Sequence, residues 1–370
     1  MRIALTGSSG FLGTNLRFRL REMGHGEPRL LRHDLQVAEL IRELDGADFV
    51  FHLAGVNRPR DPAEFDSGNV GFTGRLVEAM RSLPSPPRVV YASSIQAEGD
   101  LPYGLSKRAA ESALEAYSRA TGAAVHLFRL PNVFGKWSRP NFNSVVATFC
   151  HHVARGLPID VHDPDAVVRL VYVDDVLDSM TGLLGLQDRP GGFVDVAPQY
   201  LTTVGELAGT ITAFRDSRSS LVIPRVGDGL IRALYSTYVS FLPTESFVYA
   251  VPRYEDQRGL FVEMLKTDGC GQFSYFTAGP GVTRGEHYHH SKTEKFLVIK
   301  GRARFGFRDL RTGDVHEIVV EGGEARIVET VPGWAHNVTN VGEGELVVLL
   351  WANETFDRAR PDTIGMKVGT

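Results

Sequence analysis

Two rhythms of apolar residues run along this chain. From Met1 to about residue 187, short apolar runs (RIALT, DFVFHLA, RVVYAS, AVHLFRL) alternate with stretches of helical spacing such as FLGTNLRFRLREM. Strands that alternate with helices predict a parallel sheet with right-handed crossovers. From about Gly259 to Trp351 the helical spacing disappears. In its place stand LFVEMLK, QFSYFTA, KFLVIKG, RARFGFR, EIVVEG, ARIVETV and ELVVLLWAN, separated by Gly, Asp and Asn turns. Many short strands at close spacing predict a sandwich or barrel. Between the two, residues 188–245 mix the helical stretch VGELAGTITAF with SRSSLVIPRVGDG and the aromatic run LYSTYVSFLP. This region is expected to close the first domain and link to the second. The expected division is therefore an α/β domain over 1–245 and an all-β domain over 246–370.

Composition narrows the class without naming a chemistry. At 370 residues the chain exceeds what one core usually holds. It is 43% hydrophobic and 23% charged with a formal net charge of −4, which leaves no basic footprint for nucleic acid or an anionic membrane. Cys150 and Cys270 lie too far apart in sequence to form a disulfide framework and read as ordinary thiols. No apolar run approaches the ~18 residues of a membrane span. Met1 leads straight into the strand of MRIALTG, so a cytoplasmic location is expected.

The α/β half carries a candidate dinucleotide site. Gly7, Gly10 and Gly13 in TGSSGFLG form a G-x-x-G-x-x-G turn, with Phe11 and Leu12 inside it, directly after the first strand. Such glycines let backbone approach a pyrophosphate resting on the next helix. FHLAG, with Leu53 and Ala54, ends a later strand where the dinucleotide would pass. Ser94 ends another strand. Tyr103 and Lys107 in YGLSK are four apart and share one helix face. A lysine beside a tyrosine is expected to lower the phenol pKa from near ~10 and suit it to proton transfer.

This constellation resembles the extended short-chain dehydrogenase/reductase family over roughly residues 1–240. The resemblance implies a Rossmann sheet, a nicotinamide cofactor, and Ser94, Tyr103 and Lys107 as the catalytic set. Asn132 in RLPNVFGKW and Arg169 in RLVYVDDV match positions where relatives hold the UDP part of a sugar nucleotide. A guanidinium suits a diphosphate through paired hydrogen bonds. One departure is that a single strand-and-helix unit, RLLRHDLQVAELIREL, separates the glycine turn's helix from DFVFHLAG, where the family usually has more. Arg32 in that unit would grip a 2′-phosphate and mark NADP. Alternatively, Asp34 and Leu35 match the family's Asp-Leu pair near the adenine.

The all-β half contains GVTRGEHYHHSKTEKFLVIKG, Gly281 to Gly301, with three histidines in an apolar setting. Strand residues two apart share a face, so His287 and His289 point together and Tyr288 and His290 point away. Gly281, His287, His289, Glu294 and Gly301 fit G-x5-H-x-H-x4-E-x6-G, and Pro332, Gly333, His336 and Asn340 fit a second half, with the proline and glycine adjacent rather than one apart. This is similar to the cupin family. The resemblance implies a barrel with one divalent metal on His287, His289, Glu294 and His336. Zn leads, but Zn, Fe, Mn and Ni all suit that donor set.

HLAGVNRP, SSIQAEGDLPYGLSK, RLPNVFGKWSRPNFNSVVATFC and LYSTYVSFLP together resemble the CapF-type family of bacterial capsule-synthesis enzymes, along nearly the whole chain. In that family the cupin domain epimerises C3 of a UDP-2-acetamido-2,6-dideoxy-4-hexulose. The reductase domain then reduces the C4 ketone with NADPH to UDP-2-acetamido-2,6-dideoxy-β-L-talose. The resemblance implies the same activities, a UDP-linked 4-keto-6-deoxy amino sugar as substrate, and a homodimer or higher homo-oligomer. The acid and base of the epimerisation stay open among Lys292, Lys295, His290 and Tyr288. Two other classes fit the parts: an NAD-holding epimerase or dehydratase whose cupin is a sensor or dimerisation module, and a cupin oxygenase joined to a dehydrogenase.

Overall fold

The structure, a computed structural model, describes residues 1–369 apart from 60, 62, 187–189, 257–258, 263, 268–270 and 355–358, and gives backbone alone at 253–256, 259–262 and 272. Cys270 falls outside the described residues. The chain forms two compact units, Met1–Ser144 with Val168–Leu201, and Val145–Val167 with Thr202–Thr370. Among the described residues no helix is long and apolar enough to cross a membrane.

The first unit is built on a six-stranded sheet with the order β2-β1-β3-β4-β5-β8. Its strands are β1 (Ile3–Thr6), β2 (Arg29–Leu31), β3 (Phe49–His52), β4 (Arg88–Ser94), β5 (Val125–Leu130) and β8 (Gly192–Phe193). Every pairing is parallel. Parallel strands lie between helices, which explains why β1 and β3 are buried throughout and read as unbroken apolar runs. The chain steps from β1 to β2 and then returns to place β3 on the other side of β1. That reversal opens a crevice at the carboxyl ends of β1 and β3, the usual ligand position in such sheets. One face is closed by α2 (Val37–Leu44), α4 (Phe72–Arg81) and α5 (Pro102–Thr121), whose Leu40, Leu44, Phe72, Leu76, Met80, Leu114 and Tyr117 join one buried cluster. Each such side chain contributes about 1.5–3 kcal/mol by leaving water.

Helix α5 has clear sequence causes. Pro102 stands in its first turn and Gly122 terminates it at φ +76°. Its buried positions, including Gly104, Lys107, Glu111, Leu114 and Tyr117, recur at three- and four-residue intervals. Two further strands, β6 (Asn132–Phe134) and β7 (Val167–Tyr172), pair in parallel beside the main sheet, with Asn132 opposite Leu170.

The second unit holds two five-stranded antiparallel sheets. One runs Val248–Ala250, Arg326–Glu329, Glu294–Lys300, Leu346–Ala352, Gln272–Ala278; the other runs Val315–Glu321, Arg302–Asp309, Trp334–Asn340, Thr283–Tyr288, Ile364–Gly365. This is the all-β architecture the strand spacing predicts. The helices Val145–Ala154, Val204–Ser220 and Gly229–Ser240 belong to the same unit. Residues 145–167 and 202–245, placed before the expected boundary, are thus grouped with the β-rich half. The bonds responsible are specific. Glu329 is 1% exposed; its Oε2 receives Arg218 Nη1 at 2.5 Å, and its Oε1 receives the Tyr235 hydroxyl at 3.1 Å and pairs with Lys295. Burial opposes the Glu329 charge, but Lys295 and Arg218 outweigh it and hold the carboxyl below its ordinary pKa. Removing one partner of such a buried group costs about 3–5 kcal/mol.

Candidate active site and metal cluster

The crevice of the first unit begins at Gly7. Its φ is +69°, and a Cβ there would sit 2.6 Å from the Ala54 backbone nitrogen, so only glycine fits. Helix α1 (Phe11–Glu22) starts at once, and among the described residues no side chain caps it. Its first N–H groups are left for an anion. The loop after β3 is fixed by a buried relay. Thr6 Oγ1 accepts the Ala54 N–H at 3.0 Å and bonds His52 Nδ1 at 2.8 Å, and His52 Nε2 bonds Thr73 Oγ1 at 2.9 Å. Burial, helped by the Lys107 charge, pulls the His52 pKa down to about 3, so the ring is neutral. Asn69 clamps the same loop from a π-helical turn, Asp66–Gly71, accepting the Val56 N–H at 2.7 Å and donating to the Val56 carbonyl and Ser106 Oγ, each at 2.9 Å.

Gly7, Gly10, Phe11, Leu12, Gly13, Leu53, Ser94, Tyr103, Lys107 and Asn132 line one cavity of about 520 Å³. The structure therefore brings the glycine turn, the strand-end serine and the Tyr-Lys pair around a common space. Trp137, Arg139 and Phe142 line it as well; no sequence spacing marked them, although they fall within the quoted KWSRPNF stretch. Ala54, Arg32 and Arg169 are not among the lining residues. Arg32 follows β2, whose Leu31 pairs with Thr6, and forms an exposed two-pronged ion pair with Asp34. Arg169 is exposed and offers its carbonyl to Asn132 Nδ2 at 3.2 Å.

The electrostatics differ from the sequence expectation in one respect. Burial raises the Tyr103 pKa, and a hydrogen bond with Ser94 opposes the rise; Lys107 is not what lowers it. The reason is that Lys107 is itself buried and engaged elsewhere. Its ammonium donates to the Ala92 carbonyl at 2.7 Å and lies 4.4 Å from the Tyr91 ring centre. Burial pulls its pKa to about 7 against the pull of Glu111. Glu111, one turn further along α5, is locked by Ser93 and by Arg129 at 2.7 Å and 3.0 Å.

In the second unit, His287, His289, Glu294 and His336 converge with their donor atoms all within 4.8 Å of one another. The register explains the meeting. His287 stands directly opposite His336, and their rings are 4.7 Å apart; the His289 ring is 4.9 Å and 5.2 Å from these two. A bulge between Gly285 and His287, with Glu286 at φ +59°, re-aims the end of this strand. Glu294 begins the next strand, pinned by its N–H on Thr330 Oγ1 at 2.9 Å. Its Oε2 lies 3.3 Å from both His289 Nε2 and His336 Nε2, and its Oε1 2.9 Å from Lys292 Nζ.

Burial, reinforced by its two neighbours, lowers the His287 pKa to about 4, and burial also lowers that of His336. Burial opposes ionisation of Glu294, but His289 and His336 keep it well below the usual carboxylate range. The set is thus rich in neutral imidazole beside a carboxylate. His336 Nε2 is buried without a well-formed hydrogen bond among the described residues, although Glu294 is near. A buried ring nitrogen without a well-formed partner, and this donor chemistry, fit a divalent metal.

A Rossmann-type sheet with a glycine turn, and a Ser/Tyr/Lys set gathered in the crevice from the end of β4 and from α5, define a nucleotide-dependent oxidoreductase or epimerase class. The chain belongs to the NAD dependent epimerase/dehydratase family, whose pattern matches residues 3–193. Residues 254–364 match the polysaccharide biosynthesis C-terminal domain. The chain is 54% identical over 369 residues to the UDP-2-acetamido-2,6-beta-L-arabino-hexul-4-ose reductase of Pseudomonas aeruginosa, covering 100% of this chain and 99% of that protein. Among solved structures, it resembles the capsular polysaccharide assembling protein CapF of Staphylococcus aureus over 100% of both chains, with a TM-score of 0.68 and 37% identity. Its first part also resembles MoeE5 in complex with UDP-glucose and NAD, at TM-score 0.51 and 26% identity, covering 58% of this chain and 81% of that one.

Proposed function

We propose that the chain is a bifunctional nucleotide-sugar enzyme acting on UDP-2-acetamido-2,6-dideoxy-4-hexulose. The cupin-like half inverts C3, and the Rossmann half reduces the C4 ketone with NADPH to UDP-2-acetamido-2,6-dideoxy-β-L-talose. The observation that carries this reading is the full-length likeness to a reductase of a UDP-linked 4-ketose. The single cavity shared by Ser94, Tyr103 and Lys107 gives that likeness a chemical basis.

A nicotinamide bound at the crevice supplies hydride to C4. Ser94 orients the ketone, Tyr103 gives its phenolic proton to the C4 oxygen, and Lys107 holds the cofactor's ribose. Arg32, which follows β2, selects a 2′-phosphate once it parts from Asp34. Asn132 and Arg169 hold the diphosphate side of the sugar nucleotide. In the other half, His287, His289, Glu294 and His336 hold one divalent ion, most simply zinc. An ion held there would polarise the ketone and ease loss of the neighbouring C3 proton. The C3 proton passes to a base that exchanges with solvent, and delivery of a solvent-derived proton to the opposite face inverts the centre.

Incubating the chain with the 4-keto UDP-sugar and NADPH in D2O, and reading cofactor absorbance and product NMR, tests both halves. NADPH is expected to be consumed in favour of NADH, with deuterium at C3 of the product. Tyr103→Phe should slow reduction ~10²-fold or more while C3 exchange continues. Equal loss of both activities in a folded variant would overturn the division of labour, and an absence of cofactor consumption would overturn the reductase itself.

A further inference from the structure

The chain ends in a strap laid along the ligand-bearing strand of the second unit. Ile364–Gly365 pairs antiparallel with Thr283–Tyr288, placing Gly365 opposite His287. The Met366 N–H donates to the Glu286 carbonyl and the Val368 N–H to Glu286 Oε2, each at 2.8 Å. Ile364, Met366 and Val368 pack against Tyr288 and Ala335.

At the head of this strap stands Asp362. Its Oδ1 accepts the His290 N–H at 2.8 Å, and its Oδ2 accepts the N–H groups of Ser291 at 2.7 Å and Lys292 at 2.8 Å and the Ser291 hydroxyl at 3.0 Å. These residues form the turn between His289 and Glu294. The Asp362 carbonyl meets His289 Nδ1 in a close hydrogen bond. A carbonyl only accepts, so Nδ1 donates to it, and Nε2 is the ring nitrogen turned toward the rest of the cluster. That Nε2 is the atom 3.3 Å from Glu294 Oε2.

We propose that Asp362 is the positioning residue of the metal cluster. Its carboxylate locks the 290–292 turn, and its carbonyl fixes His289 in the tautomer that offers Nε2. The inference rests on the metal reading above. It assigns the terminal strap a role in ligand geometry, beyond completing a sheet.

The full chain as wild type, Asp362→Ala and Asp362→Asn decides it. Zinc affinity, read by competition with a chromophoric chelator, should fall about 10–100-fold in Asp362→Ala, the usual effect of losing a ligand's orienting partner. It should fall less in Asp362→Asn, which keeps one acceptor oxygen. Long-range ¹H–¹⁵N NMR of the metal-free wild type should show His289 as the Nδ1–H tautomer, and the Ala variant should lose that single form. A lower melting temperature of the metal-free variant with unchanged zinc affinity and tautomer overturns the proposal, because the contact is then only a brace. Should Asp362→Ala fail to fold, Asp362→Asn is judged by the same readings. If wild type binds no zinc, the metal reading fails, and the tautomer decides this proposal alone: Nε2–H in wild type overturns it.

Discussion

Lys107 shows how a site residue is held against its own solvation. It is 4% exposed, with the Ala92 carbonyl and the Tyr91 ring as near neighbours. Burial brings its pKa from 10.5 to about 7, so the unfolded chain binds more protons than the folded one between those values. Stability contributed at this position therefore rises with pH across that window, and the burial penalty is complete below about 7. Lys107→Met keeps the stem and removes the charge. The variant should melt above wild type at pH 6, with the gap closing toward pH 10, while ketone reduction is lost. Melting curves at several pH values check this, and a gap that does not change with pH would reject the account. The same scale shows what sequence made visible. Tyr103, Lys107 and Ser94, and His287, His289 and Glu294, were legible from local spacing, whereas His336 was marked only by the second half of the cupin-like pattern. His52, Asn69, Glu329 and Asp362 were not, because their partners lie 13 to 111 positions away along the chain. No short pattern records such a bond.

At the scale of elements, the seating of α5 decides how Tyr103 meets Ser94. Ser94 caps the short turn Ile95–Glu98, accepting the Gln96 N–H at 3.2 Å. Helix α5 rests on that turn through Gly104, where a Cβ would come within 2.0 Å of the Gln96 carbonyl oxygen. Gly104→Ala must push helix and turn apart and widen the Tyr103–Ser94 contact. The expected result is a loss of about 1–3 kcal/mol in stability and slower reduction, with C3 exchange in the other unit unchanged. Denaturant melts and separate assays of the two activities check it; wild-type reduction rates would show that the contact tolerates the shift. Helix periodicity announced α5, and alternation announced the strand bearing His287. Neither announced the bulge at Glu286, a non-glycine residue at φ +59°. His289 lies just past that strand's end at Tyr288, so alternation alone does not hold it in the cluster; the terminal strap does.

For the molecule as a whole, the two rhythms of the sequence correspond to two clusters of candidate groups, each drawn, among the described residues, from one unit. The grouping of the three helices at 145–154, 204–220 and 229–240 with the β-rich unit was not legible, because Arg218, Tyr235 and Glu329 carry no local signature of their pairing. Clusters drawn from separate units predict separable chemistry. Stripping the metal with a chelator should abolish solvent deuterium entry at C3. Reduction of a ketone already inverted at C3 should continue at close to the untreated rate, since none of Ser94, Tyr103 and Lys107 belongs to the ligand set. Added zinc should restore exchange. Circular dichroism before and after chelation separates lost chemistry from lost fold, because structural zinc can supply folding energy outright. If chelation stops reduction of the pre-inverted ketone as well, while the fold persists, the two sites depend on one another and the separation fails. If exchange survives complete removal of metal, the base that takes the C3 proton acts without an ion, and the histidine cluster ties strands together.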